Sequence, residues 1–286
     1  MLSSIRIVLL LASSLLVWQQ TKAQMPKTNI WLLELAGNKD ALVLKNPKKI
    51  TRDGSYDNQP YFTKDNLGFF YTNEQDNDQT DILYYSFGTG MSERVTKTPE
   101  SEYSPKGLTS KSFTCVRVDK DSAQRVYRYD EANPKGKWLY TQSDSIGYYG
   151  ITEGKLVYFK ITEPPSIWLA DSTAEYRISG VPGRCFVNSL DQQKVWFEQK
   201  MGNSFLLNHM QGNTLAFSQG LPENAEFFDF YDPRTILINV GKELQLMDLD
   251  TGVKKAIAFP QGIPATPCTR MSISLNKKYL AIVFAE

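Results

Sequence analysis

Apolar residues in much of this chain alternate with polar ones, as in Val126-Tyr-Arg-Tyr and Leu244-Gln-Leu-Met. A period of two marks half-buried strands, and no window holds the 3.6-residue apolar period of a helix for three turns. The clearest unit runs Tyr56-Asp-Asn-Gln-Pro60-Tyr-Phe-Thr-Lys-Asp65-Asn-Leu-Gly-Phe69-Phe-Tyr-Thr72. It reads as a short strand, a tight turn at Lys64–Gly68 and a second strand. Thr80–Tyr85 then alternates as a third strand, and Ser92–Thr96 makes a fourth. Four strands in about forty residues is the size of one propeller blade.

The layout recurs. Aligned on the first large apolar residue of the second strand, the copies fall at Phe69, Phe113, Leu156, Val195, Ile236 and Leu280, with steps of 44, 43, 39, 41 and 44 residues. Such regularity is the mark of a repeat architecture. The last copy supplies two strands, Met271–Leu275 and Tyr279–Phe284, and the missing two stand at the other end as Asn29–Glu34 and Ala41–Leu44, followed by Ile50-Thr51. The expected fold is therefore all-β: a single six-bladed propeller of four-stranded blades over residues 24–286. N-terminal outer strands would pair with C-terminal inner strands and hide the edges that an open array exposes.

Several segments resemble the turn-centred, WD40-like repeat of TolB-type propellers. They are Pro60-Tyr-Phe-Thr-Lys-Asp65, Asp81-Ile-Leu-Tyr84, Tyr231-Asp-Pro233 and Ser272-Ile-Ser-Leu-Asn-Lys-Lys-Tyr-Leu-Ala281. The likeness covers the propeller and leaves out the N-terminal α/β domain of TolB. Asp65-Asn66 and Leu275-Asn276 stand where the family has Asp-Gly, so Asn66 and Asn276 are expected in the left-handed conformation, which asparagine tolerates.

The first residues have another character. Arg6 precedes an apolar run from Ile7 to Trp18, and Thr21-Lys-Ala23 places small residues around a cut after Ala23. This is a secretory signal peptide over residues 1–23. The run is shorter than the roughly 20 residues of a membrane-spanning helix, so no membrane insertion is expected after cleavage. The protein is then periplasmic or secreted. Removing Arg6 and Lys22 leaves 30 basic and 31 acidic residues without a Lys/Arg cluster, which argues against nucleic acid as a partner. Cys115, Cys185 and Cys268 fall on three non-adjacent blades, too far apart to bridge, and read as buried thiols.

Candidate chemistry is sparse. His209 is the one histidine and no Gly-x-Ser-x-Gly elbow occurs, so a nucleophilic triad has no candidate. Asp76-Asn-Asp78 and Asp248-Leu-Asp250 lack the glycine and terminal Glu of a calcium loop. Propellers use loops that lead into each innermost strand, and eleven residues before the anchors stand Asn58, Glu102, Ser145, Arg184, Ala225 and Thr269, with Asp144, Glu226 and Arg270 adjacent. Asn58, Glu102, Asp144, Arg184, Glu226 and Arg270 are accordingly expected at the channel mouth. Two arginines there favour an anionic partner over a free metal ion. The leading expectation is a monomeric, non-catalytic module that binds an envelope protein, peptide or glycan and needs no cofactor. The alternatives are a calcium-dependent hydrolase or lactonase of the six-bladed type, with calcium as its cofactor, and an accessory subunit of a cell-envelope complex.

Overall fold

A computed structural model describes residues 25–75 and 79–286; the segment expected to be a signal peptide and Asp76-Asn-Asp78 lie outside them. The first strands are β1 (Thr28–Ala36) and β2 (Val43–Lys49). Blade 2 comprises β3 (Asp57–Phe62), β4 (Gly68–Glu74), β5 (Thr80–Ser86) and β6 (Ser92–Arg94). Blade 3 comprises β7 (Ser101–Thr109), β8 (Ser112–Val118), β9 (Gln124–Asp130) and β10 (Asn133–Trp138). Blade 4 holds β11 (Ile146–Thr152), β12 (Lys155–Lys160), β13 (Ser166–Ala170) and β14 (Glu175–Ser179). Blade 5 holds β15 (Pro182–Asn188), β16 (Val195–Met201), β17 (Ser204–Gln211) and β18 (Thr214–Gly220). Blade 6 holds β19 (Phe228–Asp232), β20 (Thr235–Val240), β21 (Glu243–Asp248) and β22 (Lys254–Ile257). The chain finishes with β23 (Cys268–Ile273) and β24 (Tyr279–Ala285), which complete blade 1 in the order β2-β1-β24-β23.

Closure is thus as the sequence implies. β1 pairs antiparallel with β24 from Thr28↔Ala285 to Glu34↔Tyr279. Beyond the ladder, the Glu286 carboxylate accepts from Asn29 Nδ2 at 3.0 Å and from the Gly54 amide at 2.8 Å.

The core lies between blades. Six apolar clusters each draw on two neighbours, and together they run once around the ring. A second strand is covered on both faces, which explains its unbroken apolar run. In β4, Phe69 and Tyr71 pack toward blade 1 while Phe70 packs toward blade 3. In β24, Leu280 and Ile282 face blade 6 while Ala281 and Val283 face blade 2. Every alignment anchor lies within the first two residues of such a strand.

The turn between first and second strands has a repeated polar clasp. Thr63 Oγ1 donates to Asp65 at 2.5 Å, the Leu67 amide donates to the same carboxylate, and Asn66 is left-handed with φ 55°. Gly68 must lack a Cβ, since one would lie 2.0 Å from the Tyr85 carbonyl oxygen. The closing blade repeats the clasp as Ser274 Oγ to Asn276 at 2.8 Å, but its left-handed residue is Lys277, with φ 58°. The expectation for Asn276 is corrected by one position: it takes the acceptor role of Asp65, a role that needs a side-chain oxygen and not a positive φ.

Cys115, Cys185 and Cys268 are free and buried, each in a different inter-blade cluster. Among the described residues no helix is long and apolar enough to cross a membrane.

Candidate functional site at the channel mouth

The innermost strands β3, β7, β11, β15, β19 and β23 each open their blade's meander and so run in one direction. Their first residues form the mouth and their last residues the far face. Each carries a pairing irregularity against its neighbour, as between Asn58 and Tyr61 in β3 and between Tyr103 and Lys106 in β7. An inserted residue inverts the side-chain alternation that follows. Gln59 (φ 58°) and Ser104 (φ 53°) take up that change; beyond them Tyr61 and Lys106 line the channel.

Three of the six expected mouth residues come together. Arg184 and Glu226 form a two-pronged ion pair, with Nε and Nη2 at 2.5 and 2.6 Å from the two carboxylate oxygens. Arg270 lies on the face of Phe227, 4.0 Å from the ring centre, and donates to the Tyr148 hydroxyl at 3.1 Å. Phe227 also sits under Arg184, at 5.6 Å. The aromatic rings fix both guanidinium groups by cation–π attraction.

The other three are elsewhere. Asn58 is buried at the seam with blade 1, where it donates to Thr28 Oγ1 at 3.4 Å and accepts from the Gln59 amide. Glu102 points away from the channel into the contact between blades 2 and 3, and accepts from Thr98 and from the Tyr129 hydroxyl at 3.2 Å. Burial pushes its carboxyl up to about 7. Asp144 is exposed and its carboxylate meets the neighbouring Ser145 hydroxyl. Asn58 and Glu102, like Arg184 and Arg270, belong to inner strands, and there alternation decides which side chains face the channel.

Below the mouth is a cavity of about 80 Å³. Its floor is Lys106, whose ammonium donates to the Phe186 carbonyl at 2.6 Å and rests 4.6 Å from the Tyr61 ring centre. Desolvation lowers this amine to about 8. Asp229 is raised to about 6 by burial, although the amides of Ile273 and Phe230 donate to it. Behind Gly183 lies Glu198, fully buried with neither carboxyl oxygen hydrogen-bonded; burial raises it well above the carboxylate range. Glu198 forms no ion pair or hydrogen bond with either arginine.

Tyr148, Phe227, Lys106 and Asp229 were not among the expected residues. They stand seven to nine positions before their anchors, so the same repeat counted a few residues further along would have reached them. His209 stacks on Trp196 with ring centres 4.3 Å apart, half-buried on β17. Asp248 accepts from the amides of Asp250 and Thr251, as a turn residue does. Among the described residues no group of three or more His, Cys, Asp or Glu is placed to hold a metal ion.

No protein-family model and no curated protein matches the sequence. Solved structures do. A protein assigned as TolB in Agrobacterium tumefaciens superposes with a TM-score of 0.65 at 13% identity, over 92% of this chain and 99% of the other. The chain has the TolB-type propeller fold. That fold is shared with a chain of the nidogen/laminin complex (TM-score 0.60, 11% identity, 86% of this chain and 97% of that one). It is shared equally with a gluconolactonase of Xanthomonas campestris (TM-score 0.60, 10% identity, 93% and 99%). At these identities the likeness is one of architecture, and function has to be argued from the site.

Proposed function

We propose that this TolB-like propeller is an exported, non-catalytic module that binds an acidic partner at the channel mouth through Arg270, with Arg184 beside it. The partner is an envelope protein or peptide presenting a carboxylate, or an acidic glycan. One observation carries the reading: Arg270 is held by Phe227 and Tyr148 with no carboxylate within ion-pairing distance among the described residues, whereas Arg184 beside it is matched by Glu226. A guanidinium fixed by aromatic faces keeps a planar fork of donors oriented toward an incoming carboxylate. Propellers also serve in protein–protein assemblies, as the nidogen/laminin complex illustrates.

The rival reading is calcium-dependent hydrolysis, for which a divalent ion would sit against two guanidinium groups in a narrow funnel. The test compares the intact protein with Arg270→Ala and with the Arg184→Ala/Arg270→Ala pair. The probes are a short Asp/Glu-rich peptide and its uncharged Asn/Gln counterpart, and the partner captured from an envelope extract. A hydrogen bond to a charged group contributes about 1.5–3 kcal/mol. Arg270→Ala should therefore weaken acidic-peptide binding about 10–100-fold, with little change in melting temperature. Equal binding of both peptides, or unchanged capture by the double variant, would refute it. So would a calcium-induced rise in melting temperature with lactone or ester hydrolysis that chelation abolishes.

A further inference from the structure

On the far face of the ring lies a second, larger cavity of about 370 Å³ that the mouth does not use. The inner wall is parted beside it, at one of two loose junctions in the ring, the other being that of β15 with β19. β3 packs along β7 and β11 along β15, while β7 and β11 stand apart and β11 leans on β8 and β9 instead. The segment that joins blade 3 to blade 4 turns through Tyr140, left-handed at φ 53°, and brings Leu139 and Tyr140 to the gap. Tyr61, Lys106 and Tyr149 line both cavities and so form the partition between them. Tyr149 is pinned there by its hydroxyl, which donates to Thr114 Oγ1 at 2.8 Å.

Folded interiors are packed with few voids larger than a water molecule, and pockets for small ligands are about 300–1,000 Å³. A hollow of this size, bordered by blades 2 to 5, has the dimensions of a ligand site. Its lining is of two kinds. Leu108, Leu139, Tyr140 and Ile151 give apolar walls, and Lys106, Lys64 and Arg128 bring positive charge. Neither Lys64 nor Lys106 is in an ion pair among the described residues. Arg128 gives its Nε to Asp130 at 2.8 Å. The lining carboxylate, Glu153, is exposed and directed toward Gly212.

We propose that this far-face cavity is a second ligand site, separate from the mouth, for a small organic carboxylate with a flat apolar body. The body would lie between Tyr140 and Ile151, and the carboxylate would meet Lys64 and Lys106. Burial lowers Lys106, and partial desolvation lowers the exposed Lys64 in the same direction; a bound anion favours the charged form that desolvation opposes.

The test is calorimetric titration of the full chain with 2-naphthoate and with the neutral 2-naphthamide. The far-face cavity should take one molecule of naphthoate per chain, at least tenfold more tightly than the amide. Lys64→Ser, a surface change, should weaken naphthoate about tenfold, and Ile151→Trp should fill the cavity and abolish binding while the melting transition persists. Arg270→Ala should leave the affinity unchanged. Equal affinity for the two probes, no binding at all, indifference to Lys64→Ser, or loss of binding in Arg270→Ala would each overturn the second site. The last result would place the probe at the mouth, so failure here is distinguishable from failure of the mouth reading.

Discussion

Removing Met271–Glu286 tests whether the ring depends on its seam. The segment takes away β24 and half of β23, and with them the ladder partners of β1. Within β24, Leu280, Ile282, Val283 and Phe284 are at most 1% exposed. At about 1.5–3 kcal/mol for burying each such side chain, the four together contribute about 6–12 kcal/mol. The net stability of a domain is about 5–15 kcal/mol, so the truncated chain should be unfolded or without a cooperative transition. Thermal denaturation followed by circular dichroism, with urea denaturation beside it, reads this out. Leu280→Ala is the graded control: it should lower stability by about 2–5 kcal/mol and keep a single transition. A truncated protein that melts cooperatively within a few degrees of the intact one would show that the seam is dispensable and the reasoning wrong.

Glu102→Gln should stabilise the protein above pH 7 by up to about 3 kcal/mol and flatten its pH dependence. The folded carboxyl, raised to about 7, holds its proton more tightly than the unfolded chain does. Its contribution is therefore full below about pH 4.5 and is lost as the pH rises through 7; melting curves at pH 5 and pH 8 decide it. The three buried thiols, with pKa values raised by burial, should be silent to a thiol reagent in the native protein and all react after denaturation. A native thiol that titrates at once would contradict their placement. Mass spectrometry of envelope-fractionated protein should find Gln24 as the first residue; Met1 retained there would refute cleavage.

The fold was legible because strand period, anchor spacing and the split final repeat all point to one ring. Phe69–Tyr71 and Leu280–Phe284 announce second strands by being apolar on both faces, a pattern that burial from two sides alone explains. The mouth was legible in part. Arg184, Glu226 and Arg270 were reached by counting, since repeats conserve the position along a strand. Glu102 was misplaced because counting does not give the side of the strand. Further along these strands the irregularities beside Gln59 and Ser104 reset the alternation, and a glutamine or serine in left-handed conformation leaves no signature in composition. Lys106 and Tyr148 were missed because the count stopped a few positions short of them. The far-face cavity was out of reach, because it lies beside the parting of β7 and β11, a tertiary spacing that no local pattern encodes.

The seam in blade 1 also settles where anything attached to this protein would sit. β1 starts and β24 stops beside one another, with Thr28 opposite Ala285 and the Glu286 amide donating to the Lys27 carbonyl at 3.1 Å. Thr28 also bridges Tyr56, at the start of blade 2 and near Arg270. Both ends of the described residues therefore lie on the mouth face. A tag, fused domain or surface tether on either end hangs over the same opening, where it crowds a large partner or raises the local concentration of one it carries. Ligand-capture experiments gain most from immobilisation through a far-face turn such as Asn276–Lys278, which leaves both the opening and the far-face cavity clear.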